Sequence, residues 1–242
     1  SLYIGNDDAK AIALLDEARL ACPHTAIEEA AVRREIPVLV SKGETQRAML
    51  LLTDYLRRYG RSIYAWKLFR DFSAAAAKRD EFDGRDMVEK LTEATSTADR
   101  QSRIDLLLAM AAAALPAGRI SLAQAAANEA LSLKPDSAED LDRAMLYQAA
   151  ANAPSARAAE ALSALRQITA DRLTGNDVEI REVAGYIAQT VTQNKFAPAS
   201  DARNAEIEVS RAATELSRVS TAVKSADAAI EEANMIMSGT KK

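Results

Sequence analysis

Little in this 242-residue chain invites a sheet, a metal or covalent chemistry. There is one cysteine, Cys22, so no internal disulfide framework can form. There is one histidine, His24, and with a single cysteine that is too few ligands for a structural zinc site. Glycine (8), proline (6) and aromatics (5%) are sparse, while alanine and leucine dominate. That balance argues for helix and against sheet. No two glycines sit where a phosphate loop or a dinucleotide fingerprint would need them. The longest apolar run, Leu106 to Ala117, is about twelve residues where a membrane span needs about twenty, so no membrane insertion is expected. A net charge of −4 excludes a chain that seeks nucleic acid in general, though not a local basic patch. Ser1-Leu2-Tyr3-Ile4 has neither the basic nor the apolar region of a signal peptide. The chain starts without methionine and helical pattern follows almost at once. It is therefore expected to be a processed or truncated piece of a longer protein, and the missing signal leaves the compartment open.

What is present is a repeat. Gly43, Gly60, Gly84 and Gly118, with Pro23, Pro135 and Pro154, divide the text into segments of ordinary helix length. Ala11, Leu15, Ala18 and Pro23 stand at offsets that recur in Ala123, Ala127, Ala130 and Pro135. Ala48, Leu52, Tyr55 and Gly60 follow the same rule, Met87, Leu91 and Ala94 more loosely, and Ala158, Leu162 and Leu165 as a weaker copy. The copies start 35 to 39 residues apart. The offsets resemble the second helix of a tetratricopeptide repeat, whose nominal period is about 34. The expected fold is all-α: a degenerate tetratricopeptide-like solenoid over residues 1–195. Capping boxes are expected at Thr25 with Glu28, Asp136 with Glu139, and Asn176 with Glu179. Ser62 is the expected N-cap after Gly60. Pro37 should kink its helix or end it near Glu35.

Residues 199–237 contain no glycine or proline and carry five heptads. Val209, Leu216, Val223, Ile230 and Met237 form one row, and Ala205, Ala212, Val219, Ala226 and Ala233 the other. A long C-terminal helix follows, packed on the repeats as a strut or paired with another chain as a coiled coil. The alanine row favours the strut, because a two-stranded coil wants leucine in one row. A monomer is the favoured state on the same ground.

Catalytic chemistry has no foothold. His24 and Cys22 fall in a helix-to-helix turn without an orienting third group, and His24 reads as an exposed loop residue. Asp80, Glu81, Asp83 and Asp86 read as a solvated loop face, with a weak calcium contact as the alternative. Neither catalytic nor metal-binding residues are assigned, no cofactor is expected, and an enzyme reading survives only if a missing N-terminal portion carries the chemistry.

Seven of the eleven aromatics lie between Tyr55 and Phe82. Tyr55 and Tyr59 on one helix, facing Phe69 and Phe72 on the next, would form an aromatic core beneath the Gly60 turn. Arg57, Arg58, Arg61, Lys67 and Arg70 cannot all be core, and would form a basic collar around it. Arginine with tyrosine and tryptophan is the composition of interface hot spots. The candidate partner-binding residues are Arg57, Arg58, Tyr59, Arg61, Tyr64, Trp66 and Arg70, with acidic residues expected on the partner; an ordinary solvated face is the alternative for the collar.

The runs "LLDEARLACPHTAIEEAAVRREI" and "YLRRYGRSIYAWKLFRDF" resemble the MotC family of periplasmic motility proteins of α-proteobacterial flagella. The matching positions include Leu15, Asp16, Ala18, Arg19, Leu20, Pro23, Thr25, Glu28, Glu29, Ala30, Arg33 and Arg34. Tyr55, Arg57, Arg58, Tyr59, Arg61, Ser62, Tyr64 and Ala65 continue the match. The resemblance is specific over roughly residues 10–82. It implies a non-enzymatic periplasmic protein that supports flagellar rotation by binding the periplasmic part of the stator protein MotB. It also implies a longer precursor with a signal peptide, of which this chain is the C-terminal portion. It carries no catalytic residue and no partner map. The runner-up is a structural or oligomerising adaptor working through its heptad helix, and a cytoplasmic tetratricopeptide adaptor differs chiefly in address.

Overall fold

The computed structural model describes residues 8–173 and 175–194, and all regular structure among them is helical. The order is α1 (Asp8–Ala21), α2 (Ala26–Lys42), α3 (Thr45–Tyr59), α4 (Ala65–Ala76), α5 (Arg85–Ala94), α6 (Arg100–Ala114), α7 (Ile120–Ser132), α8 (Ala138–Asn152), α9 (Ala158–Gln167) and α10 (Asn176–Asn194). Short 3₁₀ turns stand at Asp80–Phe82 and Ala170–Arg172. The heptad residues 199–237, and the choice between strut and coiled coil, lie outside the described residues.

Alternate helices stack. α2, α4, α6 and α8 pack side by side in one row, and α3, α5 and α7 in a second. The five copies of the sequence repeat fall on α1, α3, α5, α7 and α9, and most of their residues are buried. Ala123, Ala127 and Ala130 are fully buried, as are Ala48, Leu52 and Tyr55. The repeat spacing also appears in the ion pairs. Arg61 reaches Asp99, Arg100 reaches Asp136, Arg119 reaches Asp80 and Asp83, and Arg143 reaches Asp177, each across 34 to 39 residues.

Several local expectations are corrected. Pro37 neither ends nor interrupts α2, which runs on to Lys42. Proline leaves the Arg33 carbonyl without its helical donor, yet Ile36 before it and Leu39 and Val40 beyond it are completely buried. That burial, with a closed C-terminus, outweighs the lost bond. Gly43 supplies the closure: at φ 81° its N–H reaches Val40 O while the Glu44 N–H reaches Leu39 O, a Schellman end that favours glycine. Ser137, not Asp136, caps α8 by accepting from the Asp140 N–H, and Asp136 is held by Arg100 instead. α10 begins at Asn176 itself rather than after it. Ser62 lies in the turn, two residues before the position that precedes α4. Its hydroxyl accepts from the Tyr64 N–H at 3.2 Å and donates to Glu29. The aromatic core is also divided. Tyr55 and Tyr59 lie 5.5 Å apart, while Phe72 stands edge-on to Phe82 at 5.9 Å, because α4 packs on α2 and α6 rather than on α3.

Gly60 is required by crowding rather than by a left-handed backbone. Its φ is −55°, and a Cβ there would sit 2.5 Å from Leu56 O and 2.8 Å from Ser102 Oγ. Gly60→Ala is expected to push the end of α3 off α6 and lower stability by about 1–3 kcal/mol, read as a fall in the urea midpoint. An unchanged midpoint would show that the turn yields freely.

Candidate partner-binding site

The seven candidate residues lie between the last turn of α3 and the middle of α4, and the structure sorts them into two groups. One group faces inward to the start of α2. There Thr25 caps the helix, its Oγ1 accepting from the Glu28 N–H at 3.4 Å, and Glu28 Oε2 accepts from the His24 N–H at 2.6 Å. The expected capping box is present, with the glutamate reaching one residue further back than expected. His24 is exposed and holds φ 61° in the turn.

Glu28 and Glu29 are both buried, at a helix N-terminus where backbone dipoles favour negative charge. Their remaining partners come from the candidate stretch. Arg58 Nη1 lies 2.7 Å from Glu28 Oε1, and Tyr59 donates its hydroxyl to Glu28 Oε2 at 3.0 Å. Tyr55 and Ser62 donate theirs to Glu29 Oε1 at 3.0 and 2.5 Å. Burial alone would raise the Glu28 carboxyl, but the His24 N–H, Arg58 and Tyr59 together hold it below its ordinary value. Burial, reinforced by the same carboxylate, raises the Tyr59 phenol, and burial with Glu29 raises Tyr55. Arg58 and Tyr59 are thus a clasp between α3 and α2.

The second group faces solvent. Arg57 is 67% exposed and meets Asp54 at 2.6 Å. Arg61 is 84% exposed and meets Asp99 at 2.5 Å, and that hydrogen bond, ahead of the cost of burial, lowers the Asp99 carboxyl. Tyr64 and Trp66 are 51% and 59% exposed, with Ile63 beside them at 77%. The Arg33 guanidinium lies 4.8 Å from the centre of the Tyr64 ring, and that of Arg70 lies 5.1 Å from the Trp66 ring. The collar is therefore not a bare basic surface. Each of its cations has a carboxylate of this chain: Asp54 for Arg57, Asp54 and Glu28 for Arg58, Asp99 for Arg61, and Asp71 for both Lys67 and Arg70.

Away from the collar, an open and largely apolar groove of about 570 Å³ lies between α3 and α5, lined by Met49, Leu50, Thr53, Met87, Lys90 and Ala94 among others. Sequence reasoning missed it. The signal was Leu50, an apolar residue on the outer side of α3 that remains 68% exposed. The loop carboxylates near Gly84 are exposed, as expected of a solvated face, and several pair within the chain, Asp80 and Asp83 with Arg119 and Glu81 with Arg79 and Thr45. Among the described residues no group of acidic, histidine and cysteine side chains could hold a metal ion, and no helix is long and apolar enough to cross a membrane.

The class these features define is an all-helical protein in which many polar side chains tie one helix to another. The chain belongs to the MotC family: the family model described as "Chemotaxis protein MotC" matches residues 1–242. It is 32% identical over 200 residues, 79% of its own length, to the chemotaxis protein MotC of Rhizobium meliloti (strain 1021). The matched part is 45% of that relative, so the chain spans less than half of the relative's length. No solved structure matches the chain.

Proposed function

We propose that this chain is a non-enzymatic, tetratricopeptide-like helical-repeat module of a periplasmic motility protein, and that it binds the periplasmic part of the flagellar stator protein MotB. The observation that carries the reading is membership, over the whole chain, of a family described by chemotaxis. The stacked alternate helices favour a repeat solenoid, an architecture used to hold protein segments. The exposed aromatic and arginine side chains between Arg57 and Arg70 favour that region as the contact, since Tyr, Trp and Arg are the residues enriched at interface hot spots.

Sedimentation velocity of the chain, alone and mixed with the periplasmic domain of MotB, tests this directly. A monomer that co-migrates with the stator domain is the expected result. A chain that associates with itself and leaves the stator domain free would sink the proposal, and would turn attention to residues 199–237 as an oligomerising helix.

A further inference from the structure

Three features meet on the outer side of the α3–α4 turn. Ile63, Tyr64 and Trp66 form a run of large side chains that are each at least half exposed. Two of their rings are already stacked by arginines, Arg33 on Tyr64 and Arg70 on Trp66. An aromatic ring held by a guanidinium on one face loses little freedom when its other face is covered, which lowers the cost of binding. The cations are also incompletely matched. Lys67 and Arg70 share the single carboxylate of Asp71, at 3.4 and 3.2 Å. Arg33, by contrast, is largely buried beneath the Tyr64 ring with Glu29 4.0 Å from its Nη1, so it supports the ring rather than offering a free cation.

We infer that Tyr64 and Trp66, flanked by Arg33, Lys67 and Arg70, form a docking surface for a protein segment that carries an acidic side chain beside a large apolar one, and that Arg58 and Tyr59 take no part in it. The apolar side chain covers the free ring faces, and the acid completes the cation set that Asp71 half satisfies. Charge complementarity of this kind sets specificity and association rate. A bilayer fits less well. Asp54, Asp71 and Asp99 stand among the arginines, where anionic headgroups would repel them while a single acidic side chain need not approach them. This inference rests on the chain being a binding module and refines where it binds; it does not depend on the stator being the partner.

Trp66 is the one tryptophan of the chain, so 5-fluorotryptophan labelling of the full chain gives a single fluorine resonance at the proposed surface. The probes are two tryptophan-free peptides of equal length and leucine content, one with glutamate and one with lysine at the remaining positions, and vesicles containing phosphatidylglycerol. The glutamate peptide should shift the resonance and bind about tenfold or more tightly than the lysine peptide. By calorimetry, Trp66→Ala should weaken the glutamate peptide about tenfold or more, while Leu50→Ala in the α3–α5 groove leaves it unchanged. A resonance unmoved by the glutamate peptide, equal affinity for both peptides, or a shift produced by the vesicles in the peptide's place overturns the inference. The stator domain is a separate arm read by co-sedimentation. If it binds while the glutamate peptide fails, the stator reading stands and this surface falls; if the peptide binds and the stator domain does not, the reverse holds.

Discussion

Replacing Arg47 with alanine is expected to destabilise the chain by about 2–3 kcal/mol at neutral pH. The reason lies at the junction of α1, α2 and α3. Glu35 is fully buried, and Arg47 Nη2 lies 2.6 Å from its Oε1 while also bonding Asp16. Arg19 bonds Asp16 too, but its Nε is 3.5 Å from Glu35 Oε2 and out of line for a hydrogen bond. Removing Arg47 leaves Glu35 without its one aligned cation, and stranding a buried charge costs about 3–5 kcal/mol. Arg47 and Asp16 are about a third exposed, so solvent screening puts the effect at or below the bottom of that range. The pH dependence has a definite sign. Burial, and then Asp16, raise the Glu35 carboxyl above its ordinary value of 4.5. A raised carboxyl supports the fold fully below its unfolded value and loses that support as pH climbs through the folded value. Arg47 opposes that loss. Asp16 is held low despite burial, by Arg19 and Arg47, so its support is present at neutral pH and fades as the pH falls. Both effects make Arg47→Ala most costly at neutral pH and least costly when both acids are protonated. Urea unfolding of wild type and variant, in acid and at neutral pH, reads the difference. A loss equal at both pH values would mean that Arg47 acts through packing alone, and Arg47→Met, which keeps an apolar stem, would then restore stability.

The same junction shows what sequence reasoning reaches and what it does not. The repeat offsets that start at Ala11, Ala48, Met87, Ala123 and Ala158 were legible, because the face a helix buries recurs at helical spacing as small or apolar residues. The Thr25 cap was legible because it is satisfied within four residues. That α2 does not end near Glu35 was not legible, because proline's cost is local, whereas what outweighs it, the burial of Ile36, Leu39 and Val40, is tertiary. Glu35 and Arg47 carried no signal at all. A glutamate in a charged run looks solvated until the fold brings two arginines to it from α1 and α3. Within the candidate stretch, which side chains face solvent was legible only in part. Trp66 and Arg70 are four apart on one helix, so their stacking could be anticipated. Arg57 and Arg58 are neighbours and look alike, but successive residues on a helix point about 100° apart, and only Arg58 turns toward Glu28.

That difference makes reversal of the two arginines singly, rather than together, the informative experiment. Arg58→Glu would set a new carboxylate against buried Glu28 and against Asp54, which now lie 2.7 and 2.5 Å from the guanidinium. It would also leave the Tyr59 hydroxyl as the one side-chain donor to Glu28. A stability loss of about 2 kcal/mol or more is expected, from repulsion added to a stranded buried acid. The loss should shrink in acid: Glu28 is held below its ordinary value, so its contribution is present at neutral pH and fades as the pH falls through its folded value. Arg57→Glu should change stability by no more than about 0.5 kcal/mol, since its one ion pair, with Asp54, is exposed. Any effect of Arg57→Glu on partner binding can then be read as a surface effect, whereas lost binding in Arg58→Glu follows from a loosened α2–α3 clasp. Thermal unfolding of the two variants beside wild type separates them. Equal melting temperatures for both would show that the Glu28 clasp contributes nothing, and Arg58 would return to the list of surface residues. A collapse confined to Arg58→Glu would place the boundary between scaffold and contact surface within a single peptide bond.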